Sequence, residues 1–227
     1  MVVFVAAERR ELEGLLGHVE GVTRPDWPVD FARVGRLRGT PVAMVANGPG
    51  PKLAGTAVDV VKEHEGMDAL ISTGFCGGLE PSLKTCDIFV ATEVSGVGPA
   101  LAPANPRPFK TGKLLSTDRV ISTAAEKSDL GKTGVSAVEM EAFAVADRAK
   151  QFHIPFYAVR VVTDTSAETF PLDFNQMRSP DGRFDRAKIL GAAFRRPFAV
   201  FPELIKLNRT TKRAAQALGD FLADSRF

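Results

Sequence analysis

The chain has 227 residues, 44% of them apolar and 25% charged, enough for a sizeable core and ordinary for a globular protein. Its 29 basic and 27 acidic side chains leave a net charge of +2 scattered along the sequence, which excludes the one-sided basic footprint of a nucleic-acid binder. No apolar run approaches the ~20 residues of a membrane span, and "MVVFVAA" lacks the basic start and cleavage site of a leader; a cytoplasmic protein with no membrane insertion is expected.

In chain order, "VVFVA" (2–6) is a short β-branched run of the kind buried on both faces, followed by a helix from about Arg9 with Leu12, Leu15 and Leu16 on one stripe. "FARVGRL" and "PVAMVA" read as two strands of a hairpin joined through Gly39 and Thr40. "NGPGP" breaks the chain, and "KLAGTAVDVVKEH" resumes at helical period. "DALIST" (68–73) is a buried strand ending in a "GFCGG" turn, and "DIFVATEV" (87–94) is another strand. The proline-rich stretch from Ser95 to Thr111 reads as a long loop, Asp118 to Lys127 as a helix, Glu141 to Phe152 as a helix, and "FYAVRVVTD" (156–164) as a strand. The tail from Arg186 to Asp224 is expected to be helical, interrupted by Pro197 and Pro202. Strands alternating with helices predict a three-layer α/β/α fold with a mixed, mostly parallel central sheet in one domain, residues 1–227, with the helical tail from about 186.

In such sheets ligands gather where strands end, so the strand-ending turns hold the candidates for chemistry. "STGFCGGLEPSLKT" is not a phosphate loop, because Leu83 rather than glycine precedes Lys84. Its glycines, Gly74 and Gly77, either serve packing or let backbone approach a ligand. Glu139 and Glu141 flank Met140 and can share one orientation, which suits two acceptor-only carboxylates to a vicinal diol such as ribose; alternatively Glu141 sits in a first helical turn and answers the helix dipole. Arg160 and Asp164 lie on one face of a strand, where the pair is a salt bridge or Asp164 is an acid at the strand's end. Glu8 and Glu11 are open between helix-start carboxylates and a general base. Cys76 and Cys86 stand ten apart and His18, His64 and His153 are dispersed, so no metal site is expected.

Five collinear pieces, "FVAAERRE", "ANGPGPKLAGTAV", "ISTGFCGGLEPSLKTCDIFVATEV", "AVEMEAFAVA" and "IPFYAVRVVTDTS", resemble the nucleoside phosphorylases and nucleosidases, the family that includes methylthioadenosine/S-adenosylhomocysteine nucleosidase. The match spans residues 1 to about 168. The shortened middle and the tail "SPDGRFDRAKILGAAFRRPFAVFPELIKL" look most like the hopanoid-associated branch, to which release of adenine from adenosylhopane is ascribed.

The resemblance implies cleavage of the N-glycosidic bond of an adenine-type purine nucleoside, with no cofactor and with water or inorganic phosphate as co-substrate. Asp164 would protonate the departing purine at N7, Glu11 would activate water with Glu8 in reserve, and Arg160 would orient water or phosphate. Glu141, with Glu139, would grip the ribose hydroxyls, and Met140 would pack on the sugar face. Two departures stand out: Phe75 replaces a small polar residue beside the nucleophile, and Val120 stands where an aromatic usually stacks on adenine. A catalytically silent nucleoside binder is the alternative these departures keep open. A homodimer or higher oligomer is also implied.

Overall fold

The computed structural model describes residues 1–170, 172–179, 182, 183, 185, 188 and 197–227, with backbone alone for 197–204 and 206. In chain order the elements are β1 (Val2–Ala6), α1 (Arg9–Leu16), β2 (Glu20–Thr23), β3 (Phe31–Leu37), β4 (Thr40–Ala46), α2 (Pro51–His64), β5 (Ala69–Gly78) and β6 (Ile88–Val94). There follow β7 (Gly98–Pro99), β8 (Lys110–Ser116), α3 (Ala124–Gly131), β9 (Ala137–Glu139), α4 (Ala142–Phe152), β10 (Phe156–Asp164) and α5 (Pro197–Asp224).

The expected mixed sheet is what forms. Its centre, β10–β5–β1–β4, is parallel throughout, and β3 and β2 extend it antiparallel. Beyond its pairing with β1, the long β5 also pairs with β10 along one edge and with β9 along the other, while β6 and β8 bridge from β10 to β9, so five strands close into a ring. Period-two alternation sorts the central strands onto two cores. Val3, Val5, Ala43 and Val45 meet Ala54, Val58 and Val61 of α2 and Val145 and Ala149 of α4. Phe4, Ala6, Met44 and Ala46 meet Leu12 and Leu15 of α1 and Leu218, Phe221 and Leu222 of α5. Each such buried side chain contributes roughly 1.5–3 kcal/mol relative to exposure. The α1–α5 contact is close because both helices carry glycine there: a Cβ on Gly14 would stand 2.2 Å from the Ala215 carbonyl oxygen, and one on Gly219 2.1 Å from Gly14.

Four local expectations need correction. "GFCGG" is not a turn: β5 runs on to Gly78, because Gly74 and Gly77 pair with Arg160 and Asp164 of β10 and Gly77 also pairs with Val138 of β9. The stretch from Ser95 to Thr111 contains β7 and the start of β8, whose only fully buried apolar side chain is Leu114. The helix expected over Asp118 to Lys127 starts later, at Ala124, where the Thr123 hydroxyl accepts the Glu126 N–H at 3.2 Å as an N-cap. Pro202 does not interrupt α5; the missing N–H removes one intrahelical bond from a helix of 28 residues. The earlier part of the expected tail, 186–196, lies outside the described residues apart from Lys188.

Candidate active site

The parallel strands β1, β4, β5 and β10 all end at the same edge of the sheet, and a cavity of about 1160 Å³ opens there. Of the residues singled out in the sequence, Glu11, Phe75, Gly77, Val120, Met140 and Glu141 line it, as do Glu139 and Asp164. Gly74 and Arg160 do not; they lie beneath its floor.

Arg160 organises that floor. Its side chain is fully buried, with Nη1 donating to the Thr73 carbonyl at 2.8 Å and Nη2 to Ser72 Oγ at 2.6 Å and to Glu139 Oε2. Glu141 Oε2 lies 3.7 Å from Nη1. Burial opposes the guanidinium's charge, but Glu139, Glu141 and Glu11 more than offset it and hold its pKa above the ordinary value. These protein acceptors take up Nη1 and Nη2 of the group expected to orient water or phosphate, while Nε is buried without a hydrogen-bond partner.

The two glutamates of "VEMEA" are held differently. Glu139, at the end of β9, accepts from the Glu141 and Ala142 N–H groups at 2.9 Å each, from Ser116 Oγ and from Arg160. It therefore caps α4 and pins it to β8. Glu141 has fewer partners: Oε1 accepts the Gly50 N–H at 2.9 Å, and Oε2 has only the long approach to Arg160. Burial, and then the neighbouring Glu139 charge, push its pKa up to about 8. Glu141 is the member with acceptor capacity left for a ligand.

Glu11 lies in the first turn of α1 and leans onto β5. Its Oε1 accepts the Phe75 N–H and its Oε2 the Glu8 N–H, each at 2.8 Å. Burial raises its pKa, against the pull of those two N–H groups and of Arg160. Glu8 also lines the cavity and pairs with Arg10 at 2.8 Å, but it is partly exposed where Glu11 is buried. Gly74 makes this crowding feasible. Its φ is +136°, and a Cβ there would fall 2.6 Å from Glu11 Oε1 and 2.9 Å from Arg160 Nη1.

Asp164 closes β10 on the opposite wall. Thr163 Oγ1 donates to its Oδ1 at 2.9 Å, and Lys127 Nζ to its Oδ2 at 2.6 Å. Burial lifts the Asp164 pKa and the lysine pulls it back. Lys127 escaped the sequence reading, where it marked only a helix end. The Asp164 salt bridge thus forms with Lys127, not with Arg160 four residues earlier.

Beside Asp164 the wall is aromatic after all. Val120 is fixed by Asn175, whose side chain accepts its N–H at 2.8 Å and donates to its carbonyl at 2.9 Å. That clasp brings Phe170 and Phe174, packed edge to face at 5.4 Å, to the cavity wall together with Val120. The sequence reading missed both. The segment after β10 contains "FPLDF", and the two aromatics were the available signal.

A model of the phosphorylase superfamily matches residues 1–102 and 99–193, well over half the sequence. The chain belongs to the phosphorylase superfamily. It is an enzyme. Solved structures with the same fold include a 5′-methylthioadenosine/S-adenosylhomocysteine nucleosidase from Neisseria meningitidis in complex with methylthio-immucillin-A, 22% identical, with a TM-score of 0.72 over 98% of this chain and 96% of that one. A putative nucleosidase of the same type from Borrelia burgdorferi bound to adenine is 17% identical, with a TM-score of 0.71 and coverage of 99% and 98%. A futalosine hydrolase mutant from Helicobacter pylori is 15% identical, with a TM-score of 0.70 and coverage of 97% and 96%. Among the described residues no helix is long and apolar enough to cross a membrane, and no cluster of three metal-ligating side chains occurs.

Proposed function

We propose that this superfamily member cleaves the N-glycosidic bond of an adenine-type purine nucleoside. The observation that carries the reading is the crowding of the cavity floor: three buried carboxyl groups, Glu11, Glu139 and Glu141, surround one guanidinium, Arg160, and a positive charge beside them favours loss of the proton that Glu141 holds up to about pH 8. A floor so biased is matched by a ligand that becomes positive, as a ribosyl oxocarbenium does when its base departs. Glu141 accepts the ribose hydroxyls, Met140 packs against the sugar, Glu11 takes a proton from the attacking water, and Asp164 gives one to purine N7. The base lies along the wall of Val120, Phe170 and Phe174, where aromatic faces supply the stacking expected to be lost at Val120.

Beside Glu11 water is favoured over phosphate, because both terminal nitrogens of the Arg160 guanidinium beneath it are held by protein acceptors and Glu11 itself repels an anion. Arg9, Arg10, Arg24, Arg33 and Arg119, which also line the cavity, are among the cations a phosphate would have to use instead. The cavity is also larger than the ~300–1,000 Å³ of a usual small-molecule site. Trp27, Val29, Phe31 and Leu207 line it as well and suit an apolar 5′ substituent.

The test is base release from adenosine, methylthioadenosine and inosine, each with and without phosphate. The proposal expects free adenine from the adenine nucleosides at a rate that phosphate does not raise. Saturable binding of all three with no base released would leave a silent nucleoside binder instead.

A further inference from the structure

Lys127 is a fully buried lysine whose three N–H bonds all have acceptors: Asp164 Oδ2 at 2.6 Å and the carbonyls of Thr165 and Glu168 at 3.0 Å each. The face of Phe170 lies 5.0 Å from the ammonium. Of the other charged groups around it, Glu168 lies close enough for its charge to raise the Asp164 pKa. The Glu168 carboxylate accepts from Thr165, Glu126 on α3 pairs with Arg119, and Asp129 pairs with Lys132. From β5 the only titratable neighbour of Asp164 is the buried Cys76 thiol.

A buried ammonium needs an acceptor for each of its three N–H bonds, and the two carbonyls and Asp164 supply them. This arrangement suits two proton positions equally. As an ammonium, Lys127 donates three bonds to the two carbonyls and a carboxylate. As a neutral amine it still donates two to the carbonyls, while its lone pair accepts one from a protonated Asp164. Moving the proton breaks no hydrogen bond.

We infer that Lys127 and Asp164 hold one transferable proton between them, with Lys127 as the positioning residue that recharges Asp164 while the base departs. This rests on the reading of Asp164 as the acid. As the C1′–N9 bond breaks and its electron pair passes to the purine, Asp164 gives its proton to N7. That proton reaches Asp164 from Nζ, so the pair is left as a carboxylate beside a neutral amine. Water adds hydroxide to C1′ and its proton goes to Glu11, and return of that proton through solvent to Lys127 completes the balance.

The parent should therefore keep its acid competent well above the pH at which a lone carboxyl would lose its proton. The experiment measures kcat/KM for base release from pH 5 to 10 in the parent, Lys127→Met and Lys127→Arg. In Lys127→Met the acid proton is held by Asp164 alone, so activity should approach the parent's near pH 5 and fall at least tenfold below it by pH 9. Lys127→Arg keeps the charge but does not release its proton in this range, so it should be depressed at least tenfold at every pH while melting normally. A parent-like profile in Lys127→Arg would show that a fixed charge suffices and overturn the inference, as would a pH-independent loss in Lys127→Met. If Lys127→Met does not fold, the arginine variant alone decides. An Asp164→Asn enzyme as active as the parent would instead show that the underlying assignment of the acid is wrong.

Discussion

Glu139 and Glu141 stand two residues apart, yet one has all its partners supplied by the protein and the other does not. Their spacing pointed to a sugar clamp, but periodicity could not show that the chain bends into α4 between them and turns the Glu139 carboxylate back onto its own helix. Lys127 was hidden for a related reason: an isolated lysine in a polar stretch carries no pattern, and only the packing of α3 against the end of β10 buries it. Glu141 offers a test at this scale. Its pKa of about 8, against an ordinary 4.5, means that the folded protein holds the proton more tightly than the unfolded chain. Stability contributed by that proton is complete below pH 4.5 and is lost as pH rises through about 8. Glu141→Gln removes this titration, so its melting temperature should gain on the parent's between pH 5 and pH 9. Parallel melting curves across that range would show that Glu141 is not a proton holder in the folded state.

At the scale of elements, the long periodic segments were legible: β1, the β3–β4 hairpin, α2, α4 and β10 lie where β-branched runs or helical apolar spacing put them. β8 was not, because "KTGKLLS" contains no β-branched apolar residue and is held as a strand by its neighbours β6 and β9. The start of α3 was available in principle from Thr123 and Glu126, the spacing of a capping box. The glycines of β5 were misread as a turn. They serve a strand that must pass beneath Glu11 and Arg160 with no side chain in the way. Gly74→Ala should therefore both destabilise the protein, by roughly 1–3 kcal/mol for the positive φ alone, and lower turnover by displacing Glu11. Chemical denaturation and a base-release rate measured on the same sample check this, and parent-like values for both would contradict the crowding argument.

For the whole molecule, alternation of strand and helix was enough to predict sheet and layers, and the resemblance to nucleoside-cleaving enzymes led to the family that residues 1–193 match. Closure of β5, β10, β6, β8 and β9 into a ring was not legible, since it depends on β5 pairing on both sides with strands distant in sequence. The apolar side chains of the tail between Phe194 and Leu207 fall largely outside the described residues; Leu207 lines the cavity and Ile205 is exposed. A groove for an apolar 5′ group predicts that kcat/KM for 5′-alkylthioadenosines climbs with chain length, up to about 0.8 kcal/mol or some fourfold per buried methylene, until the cavity is filled. A flat or falling series would return the enzyme to small nucleosides. The central claim, that Asp164 supplies the proton that lets the base leave, is tested most directly by Asp164→Asn, with substrate affinity and the single-turnover rate of base release measured together. The account predicts affinity close to the parent's and a rate lower by about 10² to 10⁴. A rate within threefold of the parent's would remove Asp164 from the chemistry and contradict the account.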